Sequence, residues 1–125
     1  MPESPGSIID ALEGVIAERK SHPPAERSYV ASLLRGGVPQ IGAKVVEEAR
    51  EVVEAADEPG EAGEAHLIRE AADLLFHLLV LLGHREIPWN AVESELARRF
   101  GIGGIVEKES RRGPATREAG SGSGD

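Results

Sequence analysis

Two groups of residues in this chain have types and spacings suited to chemistry. Glu48 and Glu51 are three apart, and Glu47, Glu51 and Glu54 are four and three apart. Further along, Glu70, Asp73, His77 and His84 follow one another at +3, +4 and +7. On a helix such spacings put side chains on one face. Like charges placed so repel, and they weaken an isolated helix. The stretch after Glu70 sharpens the problem. Residues 74–82 are apolar on nearly every side apart from His77, so that helix is expected to be buried all round, with a polar stripe along it. A buried carboxylate without a partner is costly, and the nearby Arg69 falls on another face. These acids need a cation.

If the two helices pack antiparallel across their short loop, Glu48 and Glu51 face Glu70 and Asp73. Four carboxylates would then converge into a hard, oxygen-rich site, suited to magnesium, manganese or calcium rather than zinc. Magnesium held only by carboxylates keeps waters and takes phosphate oxygens as further ligands, which points to a phosphate-bearing substrate. Other chemistries are excluded by what is missing. There is no cysteine, hence no thiolate metal site or cysteine nucleophile. There is no pair of Glu-x-x-His motifs for a di-iron bundle, no Asp-rich calcium loop and no Walker loop. The glycines at 101–104 follow a helical pattern, not a strand, and make a poor dinucleotide loop.

The elements that must position these acids are helices. Residues 7–20 carry Ile8, Ile9, Leu12, Val15 and Ile16 at the helical period, with Ser7 a candidate N-cap. Pro23-Pro24 breaks the pattern. Residues 28–34 read equally as a helical turn or a strand, ending at Gly36-Gly37. A second helix is expected over 39–56, with Pro39 in its first turn and Ile41, Val45, Val52 and Val53 as its apolar contacts. Residues 61–64 read as loop or a frayed start, and a third helix over 65–84 ends near Gly83 and before Pro88. A fourth covers 89–100, with Asn90 a candidate N-cap. His22, His66 and His84 are expected at the surface. No segment alternates as a strand, so the fold class is all-α, a four- to five-helix bundle.

The chain has 125 residues, 40 % hydrophobic and 29 % charged, with aromatics at 3 %. That suits one domain with an aliphatic core, assigned to residues 1–112, while the Gly/Ser-rich residues 113–125 are expected to be disordered. The net charge of −8 lies wholly between Glu47 and Asp73, where only Arg50 and Arg69 oppose the acids. Such a field disfavours a nucleic-acid backbone. No secretory signal and no membrane-length apolar run is visible, so a cytoplasmic protein is expected, without nucleic-acid or membrane partners. A chain this small cannot readily surround residues 74–82, so a homodimer or higher even oligomer is expected to complete the bundle.

Glu47-Glu48-x-x-Glu51 followed by Glu70-x-x-Asp73 resembles the E-E-x-x-E…E-x-x-D signature of the all-α nucleotide pyrophosphohydrolases, the MazG-like superfamily. Four strings narrow the resemblance to the phosphoribosyl-ATP pyrophosphohydrolases of histidine biosynthesis. They are the run from Ser28-Tyr29 to Leu34, Lys44-Val45-Val46-Glu47-Glu48-Ala49, the run from Glu70 to Leu82, and Gly104-Ile105-Val106-Glu107-Lys108-Glu109-Ser110-Arg111. Val30 and Gly103 stand where that family usually has Thr and Ser. The resemblance implies magnesium-dependent hydrolysis of phosphoribosyl-ATP to phosphoribosyl-AMP and pyrophosphate, by attack of water at the α-phosphorus. It also implies a dimer.

On that reading Glu48, Glu51, Glu70 and Asp73 are metal ligands, and Glu47 is a further ligand or the base. Lys44 contacts phosphate, or else pairs with Glu48. His77 supports the metal site from behind, or is a satisfied core histidine. Tyr29 stacks on a base or packs under the bundle. Arg111, with Arg112, meets substrate phosphates or only solvates the tail. Two other readings compete: a nucleotide-pool cleaner acting on dUTP or a similar triphosphate, and a non-catalytic helical dimer whose acids bind metal or a basic partner.

Overall fold

The computed structural model describes residues 5–24 and 28–102, and side chains from residue 8 onward. All the regular structure among them is helical: α1 (Pro5–Ser21), α2 (Tyr29–Ala56), α3 (Gly60–His84) and α4 (Trp89–Phe100). Gly104 to Arg111, Arg112 and the 113–125 tail lie outside the described residues. The chain divides into two units at Ile87/Pro88. The first holds α1–α3 and all the residues of the acidic cluster.

Within the first unit α2 has a break that the sequence marked and a geometry that it did not reveal. Ser28 is extended, and its side chain accepts a hydrogen bond from the Ala31 N–H at 3.2 Å. It is thus an N-cap, and the residues after it, 29–34, resolve as helix rather than strand. Gly37 then leaves helical geometry at φ 72°, ψ −163°, a backbone region essentially reserved for glycine. Pro39 opens the second leg at the place expected for a helix start. Tyr29 lies beside His77, Gly37 beside His84 and Glu48 beside Glu70 and Asp73. The first leg therefore runs along α3 toward its C-terminus, and the second returns along it antiparallel. Gln40 folds back into the space where a Cβ on Gly36 would stand.

α3 begins at Gly60, so residues 61–64 are helical rather than loop. Two glycines account for the early start. Gly60 sits at φ +76°, and the buried Gly63 lies so close to the Glu58 carbonyl that a Cβ there would collide with it. The other end is closed by a left-handed Glu86 (φ 60°). Glu86 N–H reaches Gly83 O and Ile87 N–H reaches Leu82 O, each at 2.9 Å, the Schellman pattern that satisfies terminal carbonyls. Lys20 of α1 adds its ammonium to the His84 carbonyl at 2.8 Å, a favourable charge at a helix C-terminus. α1 itself starts at Pro5, so Ser7 is inside the helix and is not its cap.

The core of this unit is aliphatic, as the composition requires: Ile16, Ala31, Leu33, Ile41, Ala55, Leu79 and Val80. Gly83, besides lying near a helix stop, lets α1 approach α3, because a Cβ there would meet the Ile16 side chain at 2.7 Å. Two burial expectations are corrected. Val53 is 70 % exposed rather than an apolar contact. Residues 74–82 are not buried all round: His77, Leu79 and Val80 are buried, and the rest of that run is half-buried. Three helical segments cannot cover a fourth from every side.

In the second unit α4 starts after an extended Pro88 with no side-chain cap, so Asn90 does not cap it. Trp89 donates to Glu93 at 2.9 Å, and Glu95 accepts from Arg98 and Arg99 at 2.7 and 3.0 Å. Gly101, at φ 67°, ends the helix. Among the described residues no helix is long and apolar enough to cross a membrane.

Candidate metal centre

The second leg of α2 supplies Glu47, Glu48 and Glu51, and α3 supplies Glu70 and Asp73. Carboxylate oxygens of Glu48, Glu70 and Asp73 lie within 4.8 Å of one another, and so do those of Glu47, Glu48 and Glu51. Glu48 belongs to both sets and is 6 % exposed, whereas Asp73 is exposed. The cluster is therefore rooted in the interior and open at one rim. Among the described residues, the buried side-chain nitrogen or oxygen atoms without a hydrogen-bond partner are Glu48 Oε1 and Glu70 Oε1. Leaving such an acceptor unsatisfied costs about 1–3 kcal/mol. A hard divalent cation takes carboxylate oxygens as ligands, so this donor set fits one.

The charges are arranged unequally. Burial, then contact with Glu70 and the charges of Asp73 and Glu51, pushes the Glu48 carboxyl up to about 7. Contact with Glu70, followed by burial, raises Glu51. Glu70 goes the other way: burial pushes it up, but hydrogen bonds with Glu48, Glu51 and His66 together hold it below the usual carboxylate range. Two ionised carboxylates have no proton to share, so the Glu48–Glu70 contact becomes a hydrogen bond only when Glu48 is protonated. Without a cation, the proton that relieves the cluster sits on the α2 side.

A sequence model of the phosphoribosyl-ATP pyrophosphohydrolase family matches residues 9–100 of this chain. The chain belongs to that family. Its similar relatives include a protein of Rhodopirellula baltica, 47 % identical over 97 % of this chain and 98 % of the relative. A second, from Trichlorobacter lovleyi, is 55 % identical over 84 % of this chain and 94 % of its own length. A third, from Neisseria meningitidis serogroup B, is 45 % identical over the same shares. All three are named phosphoribosyl-ATP pyrophosphatase.

The other residues expected at a site of this family are placed as follows. Lys44 pairs with Glu47 at 3.3 Å rather than with Glu48, and contact with Glu47 raises its pKa. Glu54 lies outside the acid sets, 3.7 Å from Arg50. His77 is buried, and its Nδ1–H donates to the Asp73 carbonyl at 2.9 Å while Nε2 accepts from the Tyr29 hydroxyl at 2.8 Å. It is a satisfied histidine that also touches the backbone of an acid in the cluster. Tyr29, 52 % exposed, stacks on Phe76 with ring centroids 6.1 Å apart. Arg111 lies outside the described residues.

His66 is the residue that sequence reasoning missed. It was expected at the surface, yet it is half-buried and bridges Glu58 and Glu70. Its hydrogen bond to Glu58, outweighing burial, raises its pKa. The four-residue spacing from His66 to Glu70 was the available signal. The Glu58 contact, made across the α2–α3 turn, was not visible in any helical period.

Proposed function

We propose that this protein hydrolyses phosphoribosyl-ATP to phosphoribosyl-AMP and pyrophosphate, with magnesium held by Glu48, Glu51, Glu70 and Asp73. The observation that carries the reading is the pair of buried, unpartnered oxygens on Glu48 and Glu70, converging with Asp73 in a chain of this family. A divalent cation bound there supplies positive charge to triphosphate oxygens and acidifies water.

The protein's own groups do the rest. Water adds to the α-phosphorus, the α–β anhydride bond breaks, and pyrophosphate leaves. Glu47, at the outer edge of the cluster, takes the proton of that water. Lys44, anchored by Glu47 one turn before Glu48, contacts phosphate oxygens. The exposed face of Tyr29 receives the base, its hydroxyl being held by His77. His77 supports Asp73 through the backbone. Arg111 meets phosphate. The working unit is a homodimer or higher even oligomer, in the cytoplasm, with no nucleic-acid or membrane partner.

The test is pyrophosphate release from phosphoribosyl-ATP, dUTP and ATP, each with magnesium and with EDTA. Phosphoribosyl-ATP should be turned over fastest, and EDTA should abolish turnover. Faster release from dUTP would make the protein a nucleotide-pool cleaner. No release from any triphosphate would leave only a non-catalytic metal-binding bundle.

A further inference from the structure

The acidic cluster has a support that lies outside the acid signature. His66 stands one helical turn before Glu70, and its Nε2 is 3.2 Å from Glu70 Oε2. Its Nδ1 is 3.0 and 3.1 Å from the two oxygens of Glu58. The imidazole is thus gripped on both sides by carboxylates, 31 % exposed, with Glu70 15 % exposed beside it. The contact divides the two oxygens of Glu70. Oε2 is taken by the imidazole, while Oε1 is buried and unpartnered.

Glu58 reaches His66 because of the turn between α2 and α3. The Glu58 N–H is bonded to Ala55 O at 3.0 Å, and its carbonyl lies against Gly63, where no larger residue would fit. The first turn of α3 is thereby pressed against residue 58, and His66 lies in the next turn. Residues that orient a metal-binding carboxylate through a hydrogen bond commonly govern affinity by about 10–100-fold.

We propose that His66 is a positioning residue: it fixes the carboxylate of Glu70 so that Oε1 faces the cation, and Glu58 holds the imidazole from its far side. This rests on the metal reading of the cluster.

The experiment uses Mn²⁺ as the probe, with free Mn²⁺ followed by electron paramagnetic resonance on the full chain. Asparagine places its amide near the position of the histidine Nδ1, and glutamine near that of Nε2. His66→Gln should therefore keep the Glu70 contact, and His66→Asn should lose it. His66→Asn is expected to weaken Mn²⁺ binding about tenfold or more, and His66→Gln to stay within about threefold of the parent. In turnover, His66→Asn should raise the magnesium concentration for half-maximal rate and leave kcat at saturating magnesium near the parent's. Should His66→Asn not fold, Glu58→Ala, on the more exposed side, removes the far grip on the imidazole and should weaken Mn²⁺ binding by about threefold. Equal Mn²⁺ affinity in parent and His66→Asn, or in parent and Glu58→Ala if that is the variant tested, overturns the proposal and leaves the metal centre standing. Equal losses in the Asn and Gln variants also overturn it, since ring packing would then be responsible. A parent that binds no Mn²⁺ overturns the metal reading and this one with it.

Discussion

Glu48 is 6 % exposed, with one oxygen unpartnered and three other acids around it. Its carboxyl is raised to about 7 from its ordinary value of 4.5. Between those two values the folded protein holds a proton that the unfolded chain has released. Stability of the metal-free protein must then fall as pH rises through that window, and level off above it. In EDTA at constant ionic strength, the melting temperature should drop between pH 5 and pH 8, as followed by circular dichroism. Glu48→Gln, neutral at every pH, should lose the part of that slope that Glu48 supplies, leave the part that the raised His66 supplies, and melt above the parent at pH 8. Magnesium at about a hundred times Kd should stabilise the parent by roughly 2.7 kcal/mol, a shift of several degrees, and the variant much less. Identical slopes in parent and variant would place the strain elsewhere. Spacing alone suggested mutual repulsion among all four acids. The structure raises Glu48 and Glu51, while hydrogen bonds with those two and with His66 hold Glu70 ionised.

At the scale of elements, the hairpin within α2 depends on Gly37. Its φ of 72° with ψ of −163° is sterically closed to residues with a Cβ. Gly37→Ala should destabilise by about 1–3 kcal/mol, read from the midpoint of urea unfolding in EDTA. Gly42 is the control. It is helical, and a Cβ there meets nothing within 4 Å, so Gly42→Ala should stabilise by roughly 0.4–1 kcal/mol. Equal effects at the two positions would show that the break at Gly37 is not what shapes α2. The second leg was legible because 39–56 holds several turns of periodic pattern. Residues 28–34 hold two, too few to separate helix from strand, and nothing local says that they fold back along α3.

At the scale of the whole molecule, the first unit leaves apolar surface uncovered. Val46, Val53 and Ile68 are 67, 70 and 62 % exposed, and most of the run at 74–82 is only half-buried. Burial of such surface is worth roughly 25 cal/mol per Å², and a two-fold axis is the commonest way to obtain it. Light scattering after size exclusion at low micromolar concentration should report at least twice 13.3 kDa. A monomer mass with full activity would contradict the oligomer.

Helical period is a local property, so the acid pairs at 48/51 and 70/73, the aliphatic core and the all-α class were determined by the sequence itself. A shift of one residue would have moved those acids off a common face. What only the tertiary structure decided depends on contacts made between elements and across turns. Burial against α3 raises the carboxyl of Glu48. Tyr29 meets His77 because the first leg of α2 runs beside α3. His66 joins Glu58 to Glu70 because the chain turns tightly at Gly60 and Gly63. Each of these outcomes is set by desolvation and by partners brought from another element, and neither has a period along the chain.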